Sequence, residues 1–289
     1  MGLKDKLLSQ SGQFNYYKKN YEKLSNENSS LKKEIDDLSG ELNILKDILV
    51  HKDKVNELNK NYCPICGHIS HFKPYGTFKR EKVICPHCQS FERVRLSYLL
   101  IEKRFSELFH NKNIKLLHFA PEKLLYNIFN ENKNIDYYPV DLNPEISKIK
   151  KITLRDLVNM ENIPYDDKQF DVIYNSHVLE HVPDDFKAIG ELYRVLKKDG
   201  ICIIMIPLSD LSETLEKEEY STPELRKKHY GETNHLRKYG KDFKQRLESV
   251  GFNVEEIYPE DLVDYEWEID FFRLKREDHF KDGLYVCTK

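Results

Sequence analysis

Hydrophobic and polar positions follow two different periods in the C-terminal two-thirds of the chain. Residues 170–174 form a short run rich in β-formers, and residues 201–206 are nearly all apolar, as in a strand buried on both faces. Between these runs, apolar residues recur every three or four positions from Val178 to Leu196, which predicts a helix ended by Asp199-Gly200. A parallel strand–helix–strand unit places the loop after its first strand at the carboxyl edge of the sheet, where open α/β sheets bind ligands.

The same strand pattern occurs upstream. Residues 114–119 and 135–140 are strand-like, and a third strand is predicted around residues 152–154. Residues 95–110 predict a helix that precedes the first of these strands. The fold class predicted for residues 95–289 is therefore α/β, with a Rossmann-like, doubly wound and mostly parallel sheet.

Residues 1–60 show a heptad pattern without proline. The d positions are Leu24, Leu31, Leu38 and Leu45, the a positions are Asn28, Ile35, Leu42 and Leu49, and Tyr17 and Tyr21 extend the seam. In a parallel dimer Glu27 would face Lys32 of the partner subunit, and Glu41 would face Lys46 of the partner subunit. The pattern predicts an N-terminal coiled coil that makes the protein a homodimer. The alternative is one amphipathic helix folded back on its own domain.

Residues 61–94 contain two Cys-x-x-Cys pairs, made by Cys63, Cys66, Cys85 and Cys88. This spacing is typical of a four-thiolate zinc site with no open coordination position, so the expected ion is structural Zn²⁺. The segment between the pairs is predicted to form a β-hairpin. The basic residues of the module and its C-terminal edge are candidates for contact with RNA phosphates, although such surfaces are often only solvated. They are Lys73, Lys79, Arg80, Lys82, Arg93 and Arg95.

Composition narrows the function classes. The 289 residues are 39% hydrophobic and 33% charged, and a net charge of −3 gives no overall attraction to nucleic acid. There is no apolar run of membrane-spanning length and no signal-peptide pattern, so we expect no membrane partner. Six cysteines, four of them in metal-type pairs, indicate a reducing compartment, and the expected location is cytoplasmic.

Several motifs together resemble those of one enzyme family. They are SHVLEHVPDD at residues 176–185, LKKDG at 196–200, LLHFAPE at 116–122, VDL at 140–142 and NHLRKYG at 234–240. The chain resembles a class I S-adenosylmethionine (SAM)-dependent methyltransferase, methyltransferase type 11-like, that carries a zinc-ribbon-like N-terminal module. The resemblance implies SAM as the cofactor. It places the cofactor against Phe119, Ala120, Glu122, Asp141, Leu142, Asp156, Leu157, Asn175 and Ser176.

Individual residues are expected to have distinct roles within that resemblance. Asp141 ends the second strand, where βαβ sites place a carboxylate on the ribose hydroxyls. Asp156 is expected to bind the adenine amino group. His177 is the candidate for orienting the acceptor or acting as base, and His235 for closing over the acceptor. Glu180 and His181 are expected to cap and pack a helix.

One departure from the family pattern concerns the turn after the first strand. It is usually rich in glycine, but here it is Ala120-Pro121-Glu122. Alanine is small and proline suits the start of a helix, so a close approach of the cofactor is still expected. The sequence favours methyl transfer to a small-molecule or glycan acceptor. The alternatives are an RNA methyltransferase guided by the zinc module and a non-catalytic coiled-coil scaffold.

Overall fold

The computed structural model describes residues 23–36, 39–40, 60–76, 80–111, 113–276 and 281–289. The chain divides into two compact units, residues 1–59 and 60–289. In the first unit residues 23–36 are helical, and the side chains of Leu31 and Ile35 are 54% and 59% exposed. An apolar stripe left in solvent is what the heptad pattern requires, and the dimer itself remains a prediction. The predicted seam residues Tyr17, Tyr21, Leu38, Leu42, Leu45 and Leu49 lie outside the described residues.

The second unit begins with two short antiparallel ribbons. Strand β1 (Asn61–Tyr62) pairs with β2 (Ile69–Ser70), and β3 (Lys73–Tyr75) pairs with β4 (Arg80–Ile84). The hairpin predicted between the cysteine pairs is confirmed as β3 and β4, but it starts at Lys73 rather than Ile69, because β2 pairs with β1.

A seven-stranded sheet follows and confirms the predicted fold class. Its strands are β5 (Ile114–Phe119), β6 (Ile135–Asp141), β7 (Asp156–Leu157), β8 (Phe170–Ser176), β9 (Leu196–Leu208), β10 (Asn253–Ile257) and β11 (Lys281–Thr288). Their order is β10-β11-β9-β8-β5-β6-β7. Strands β5 to β9 run parallel, and β11 lies antiparallel between β9 and β10.

Helices cover both faces of the sheet. They are α1 (Glu92–Arg104), α2 (Ser106–Asn111), α3 (Lys123–Glu131), α4 (Ile146–Lys150), α5 (Asp185–Val195), α6 (Pro223–Tyr230), α7 (Phe243–Ser249) and α8 (Trp267–Phe271). One buried cluster joins α5 and α7 to the sheet, and another joins α1 and α3 to it. Within the described residues, no helix combines the length and the apolar character needed to cross a membrane.

Several predicted boundaries are wrong for local reasons. The helix predicted from Val178 to Leu196 is a 3₁₀ turn at Leu179–His181 followed by α5. Pro183 separates the two, because the residue before a proline is disfavoured in helical conformation, and Val182 is extended. Asp184 then caps α5 by accepting a hydrogen bond from the backbone N–H of Lys187 (3.0 Å).

Gly200 does not end a helix but lies inside β9. A Cβ at this position would stand 2.9 Å from the carbonyl oxygen of Asp171, so the close approach of β8 and β9 requires glycine. The third parallel strand is residues 156–157 rather than 152–154. The predicted helix at residues 95–110 starts earlier, at Glu92, and is interrupted at Phe105.

Arg95 joins three parts of the second unit. Its fully buried guanidinium donates to the carbonyl oxygens of Val83 (3.0 Å) and Ser90 (2.7 Å) in the cysteine segment. It also donates to the carbonyl oxygens of Phe272 and Arg273, both at 2.8 Å, just beyond α8. The cysteine segment, α1 and the C-terminal region are therefore held together by one side chain.

Candidate active site

A cleft of about 370 Å³ opens at the carboxyl ends of the parallel strands. Its walls come from Phe119 and Ala120 after β5, Asp141 and Leu142 after β6, residues 158–161 after β7, and residues 177–178 and 181–183 after β8. Ligands of open α/β sheets bind at this edge. The parallel register therefore brings four of the residues expected to bind the cofactor to one cavity.

The turn without glycine adopts the conformation that glycine favours. Ala120 has φ of +49°, and its backbone N–H donates to Val140 (2.9 Å). The ammonium group of Lys150 donates to the carbonyl oxygens of Ala120 (3.2 Å) and Pro121 (3.0 Å). A left-handed alanine costs roughly 1–2 kcal/mol. The hydrogen bonds from Lys150 hold the turn in this shape.

Asp141 and Leu142 stand at the end of β6 on the wall of the cleft. Asp141 Oδ1 accepts a hydrogen bond from the backbone of Asn143 (2.8 Å), which fixes the carboxylate. Asp156 and Leu157 are not cleft residues: Asp156 Oδ2 accepts from the Tyr165 hydroxyl (2.6 Å), and Leu157 is 55% exposed. Because β7 is only two residues long, the chain reaches the cleft slightly later, at residues 158–161.

Glu122 lies beside the cleft at one end of a buried chain of hydrogen bonds that runs through His118 to Tyr137. His118 Nε2 is 3.2 Å from Glu122 Oε2, and His118 Nδ1 is 2.8 Å from the Tyr137 hydroxyl. Burial raises the pKa of Glu122, but the hydrogen bond and charge of His118 outweigh it and lower this pKa to about 2. Burial also lowers the pKa of His118. The hydrogen bond from His118 to the ionised carboxylate accounts for the lowered pKa of Glu122, and burial accounts for the lowered pKa of His118.

The end of β8 carries polar groups without protein partners. Asn175 is fully buried, and neither of its side-chain amide atoms has a hydrogen-bond partner among the described residues. Ser176 follows it and is also buried. Unsatisfied buried polar atoms are costly, so this strand end has capacity for a ligand or water.

His177 lines the cleft in a left-handed conformation, with φ of +55°. Its Nε2 lies 3.2 Å from Asp282 Oδ1, and its Nδ1 lies 3.5 Å from Glu180 Oε1. Two carboxylates therefore flank a histidine at the place where the sequence predicts acceptor chemistry. Burial raises the pKa of Asp282, but the hydrogen bond and charge of His177 lower it overall.

His235 occupies a different position from the expected one. It is buried, its Nδ1 lies 3.3 Å from the carbonyl oxygen of Tyr230, and its ring meets His181 edge-on at 4.9 Å. It does not border the cleft. Burial lowers the pKa of His235, so its neutral form is favoured. His235 is therefore not placed to close over an acceptor in the cleft.

The comparisons with known proteins bear on this geometry. Residues 123–204 match the family model described as a methyltransferase domain. This part of the sheet unit is therefore similar to methyltransferase domains. An 87-residue stretch is 33% identical to the ubiquinone/menaquinone biosynthesis C-methyltransferase UbiE of Psychromonas ingrahamii, covering 27% of this chain and 35% of that protein. The chain thus spans about a third of the length of that relative.

Two further similarities are weaker or partial. A 107-residue stretch is 28% identical to the putative methyltransferase YrhH of Bacillus subtilis, covering 34% of this chain and 57% of that protein. The crystal structure of a SAM-dependent methyltransferase from Archaeoglobus fulgidus is 16% identical with a TM-score of 0.45, over 70% of this chain and 96% of the other. The family match agrees with the resemblance seen in the motifs, and the zinc-ribbon-like module stays a prediction.

The four cysteines preceding the seven-stranded sheet converge. Cys63 Sγ lies 3.5 Å from Cys88 Sγ, and Cys66 Sγ lies 3.7 Å from Cys85 Sγ. All four are free thiols, and their sulfurs lie within 4.8 Å of one another. Four sulfurs about 2.3 Å from a central ion stand about 3.8 Å apart at the corners of a tetrahedron. The cluster therefore has the dimensions of a four-thiolate site.

Several residues of the site were missed by the sequence analysis. His118 had a usable signal, since it is a histidine next to the last residue of a mostly apolar strand, within a motif that carries the resemblance. Glu180 was assigned a packing role, although it is a buried carboxylate next to His177. Lys150 and Asp282 had no local signal, because their partners come from distant segments.

Proposed function

We propose that the chain is a methyltransferase that uses SAM as its methyl donor. The observation that carries this proposal is the position of the cleft, which opens where β5 and β6 end and is bordered by Phe119, Ala120, Asp141 and Leu142. These residues are the ones to which the family resemblance assigns the cofactor. The unsatisfied amide of Asn175 also fits a polar ligand at this edge.

The residues of the cleft have different proposed roles in binding the cofactor and the acceptor. Asp141 would hold the ribose hydroxyls through charge-assisted hydrogen bonds, and the apolar Val158 and Met160 would pack against the adenine. When bound, SAM supplies an electrophilic methyl group. The protein aligns the acceptor, and a base is needed only where the acceptor loses a proton. His177, oriented by Asp282, is the proposed base.

A small molecule or a glycan is the proposed acceptor. An RNA acceptor is less favoured, because two of the basic residues that were candidates for contact with RNA make contacts within the protein instead. Arg95 is buried on backbone carbonyls, and Arg80 pairs with Glu92. Lys79 lies outside the described residues. The scaffold alternative predicts no SAM binding at all.

Calorimetry of the full chain with SAM tests the proposed function. Each hydrogen bond to a charged group is worth about 1.5–3 kcal/mol, so Asp141→Asn should weaken SAM binding roughly 10- to 150-fold. Asp136→Asn is the matched control, because Asp136 stands at the other end of the same strand in an exposed pair with Arg155 (2.7 Å). No heat from the unaltered chain at millimolar SAM would favour the scaffold.

We also propose that the four cysteines bind one structural Zn²⁺ ion. The support is the tetrahedral spacing of their sulfurs and the two similar turns that present them. In each turn a backbone N–H, of Gly67 or Gln89, donates to the carbonyl oxygen of the first cysteine, Cys63 or Cys85. Thiolate ligation of this kind fits a cytoplasmic, reducing setting. Four thiolates fill the coordination shell, so the ion would stabilise the fold rather than react.

A further inference from the structure

Three side chains with metal-binding atoms meet behind the wall of the cleft. Glu180 and His181 lie on the 3₁₀ turn, and His235 comes from the loop after α6. Their ligand atoms all lie within 4.8 Å of one another. The two segments are joined by a hydrogen bond from the backbone N–H of Leu236 to the carbonyl oxygen of Glu180 (2.8 Å).

The carboxylate of Glu180 is the first indication that something is bound here. Its side chain is 1% exposed, and neither oxygen has a hydrogen-bond partner among the described residues. Its neighbours are two imidazoles, with His177 Nδ1 at 3.5 Å and His181 Nε2 at 4.0 Å from Oε1. Burying a carboxylate without donors costs several kcal/mol unless a cation compensates it.

The orientation of the two histidines is the second indication. His181 Nδ1 lies 3.2 Å from the carbonyl oxygen of Asn234, and His235 Nδ1 lies 3.3 Å from that of Tyr230. A carbonyl oxygen only accepts, so each Nδ1 carries a proton, and the lone pair of the neutral ring is then on Nε2. Metal-ligating histidines are usually oriented in this way by a backbone carbonyl.

We propose that Glu180, His181 and His235 bind one divalent transition-metal ion. Two imidazole nitrogens and one carboxylate form a donor set that suits Zn²⁺, Fe²⁺ and Mn²⁺ and leaves coordination positions open. His181 borders the cleft, so an open position on that side reaches the space beside His177. There the ion would act as a Lewis acid that holds an oxygen of the acceptor and eases its deprotonation. This role rests on the proposed function, whereas the binding of the ion does not.

The metal content of the purified full chain tests the site directly. After incubation with Zn²⁺ and dialysis, mass spectrometry should find one ion fewer per chain in Glu180→Gln and in His235→Asn than in the unaltered protein. This difference in zinc content is expected whether or not the four cysteines also hold an ion. His110→Asn, an exposed histidine on α2 away from the cluster, is the matched control and should keep the full content. Equal metal content in all four proteins would overturn the proposal.

A titration with Mn²⁺ separates the two candidate sites, because four thiolates prefer Zn²⁺ over Mn²⁺. In protein given one equivalent of Zn²⁺, which the four thiolates take first, electron paramagnetic resonance should show one Mn²⁺ site that Glu180→Gln weakens at least tenfold. Mn²⁺ should raise the melting temperature of the unaltered chain but not of the variant. Glu180→Gln should melt no lower than the unaltered chain in metal-free buffer, since it removes an uncompensated charge.

These measurements need neither SAM nor an acceptor, so the two proposals fail separately. Binding of metal without binding of SAM would overturn the proposed function alone. Binding of SAM with no Mn²⁺ or Zn²⁺ at the cluster would overturn the metal site alone.

Discussion

Arg237 gives the sharpest test of how the site is held. Its side chain is 1% exposed. It donates to the carbonyl oxygens of Leu179 (2.9 Å), Val182 and Pro183 (2.8 Å), which flank Glu180 and His181. Its Nε and Nη2 also bind the two carboxylate oxygens of Glu216 at 3.0 and 2.7 Å. One guanidinium thus holds the turn that carries the candidate metal ligands.

Arg237→Met removes this guanidinium while keeping a long apolar side chain. The Nε of Arg237 also lies 3.8 Å from Oδ2 of the buried Asp185, and breaking a buried charged pair costs about 3–5 kcal/mol. The three carbonyls lose their donors as well. With roughly 2–4 °C per kcal/mol for a folded unit of this size, the melting temperature should fall by roughly 6 to 20 °C. Differential scanning calorimetry of the full chain measures the change.

Glu216→Gln is the control for this prediction. Glu216 is 41% exposed, so the variant keeps the carbonyl contacts and loses only a screened charge, at a cost of about 1 kcal/mol or less. If Arg237→Met loses less than about 1 kcal/mol, or no more than Glu216→Gln, the idea that this guanidinium organises the turn is refuted.

Three further predictions concern the turn after β5, the hydrogen bond between His118 and Glu122, and the N-terminal helix. Ala120→Gly should raise stability by about 1 kcal/mol or less, because it relieves a left-handed alanine but adds chain entropy; a loss in chemical denaturation would contradict this. The depressed pKa of Glu122 contributes stability that is present above its unfolded value near 4.5 and is lost as pH falls toward 2. The melting temperature of Glu122→Gln should therefore fall less steeply than that of the unaltered chain between pH 4.5 and pH 2. An equally steep fall would count against a stabilising hydrogen bond between His118 and Glu122. Leu31→Lys with Ile35→Lys should convert the full chain from dimer to monomer in sedimentation, and an unchanged mass would exclude the seam.

The sequence predicts the sheet well because its strands are local apolar runs with turn residues between them. Val140 and Asp141 illustrate this: the apolar run ends at the polar residue, and that residue reaches the cleft. The prediction failed where a single residue overrides periodicity, as Pro183 does between the 3₁₀ turn and α5. It also failed at β7, which is too short to have a pattern of its own.

The site was predictable only where its residues follow strands. Asp141 and His177 were found in this way, and both line the cleft. The meeting of Glu180 with His235, and of His177 with Asp282, depends on tertiary packing between distant segments, which periodicity does not encode. Glu180 was accordingly taken for a packing residue.

The buried guanidinium of Arg95 has a consequence for how the two halves of the second unit behave. Because it joins the cysteine ribbons to α1 and to the segment after α8, the ribbons are not a flexibly linked module. Removing these ribbons would leave the guanidinium of Arg95 without its acceptors on Val83 and Ser90 and would weaken the position of α1. We therefore expect the ribbons and the sheet to unfold in a single transition.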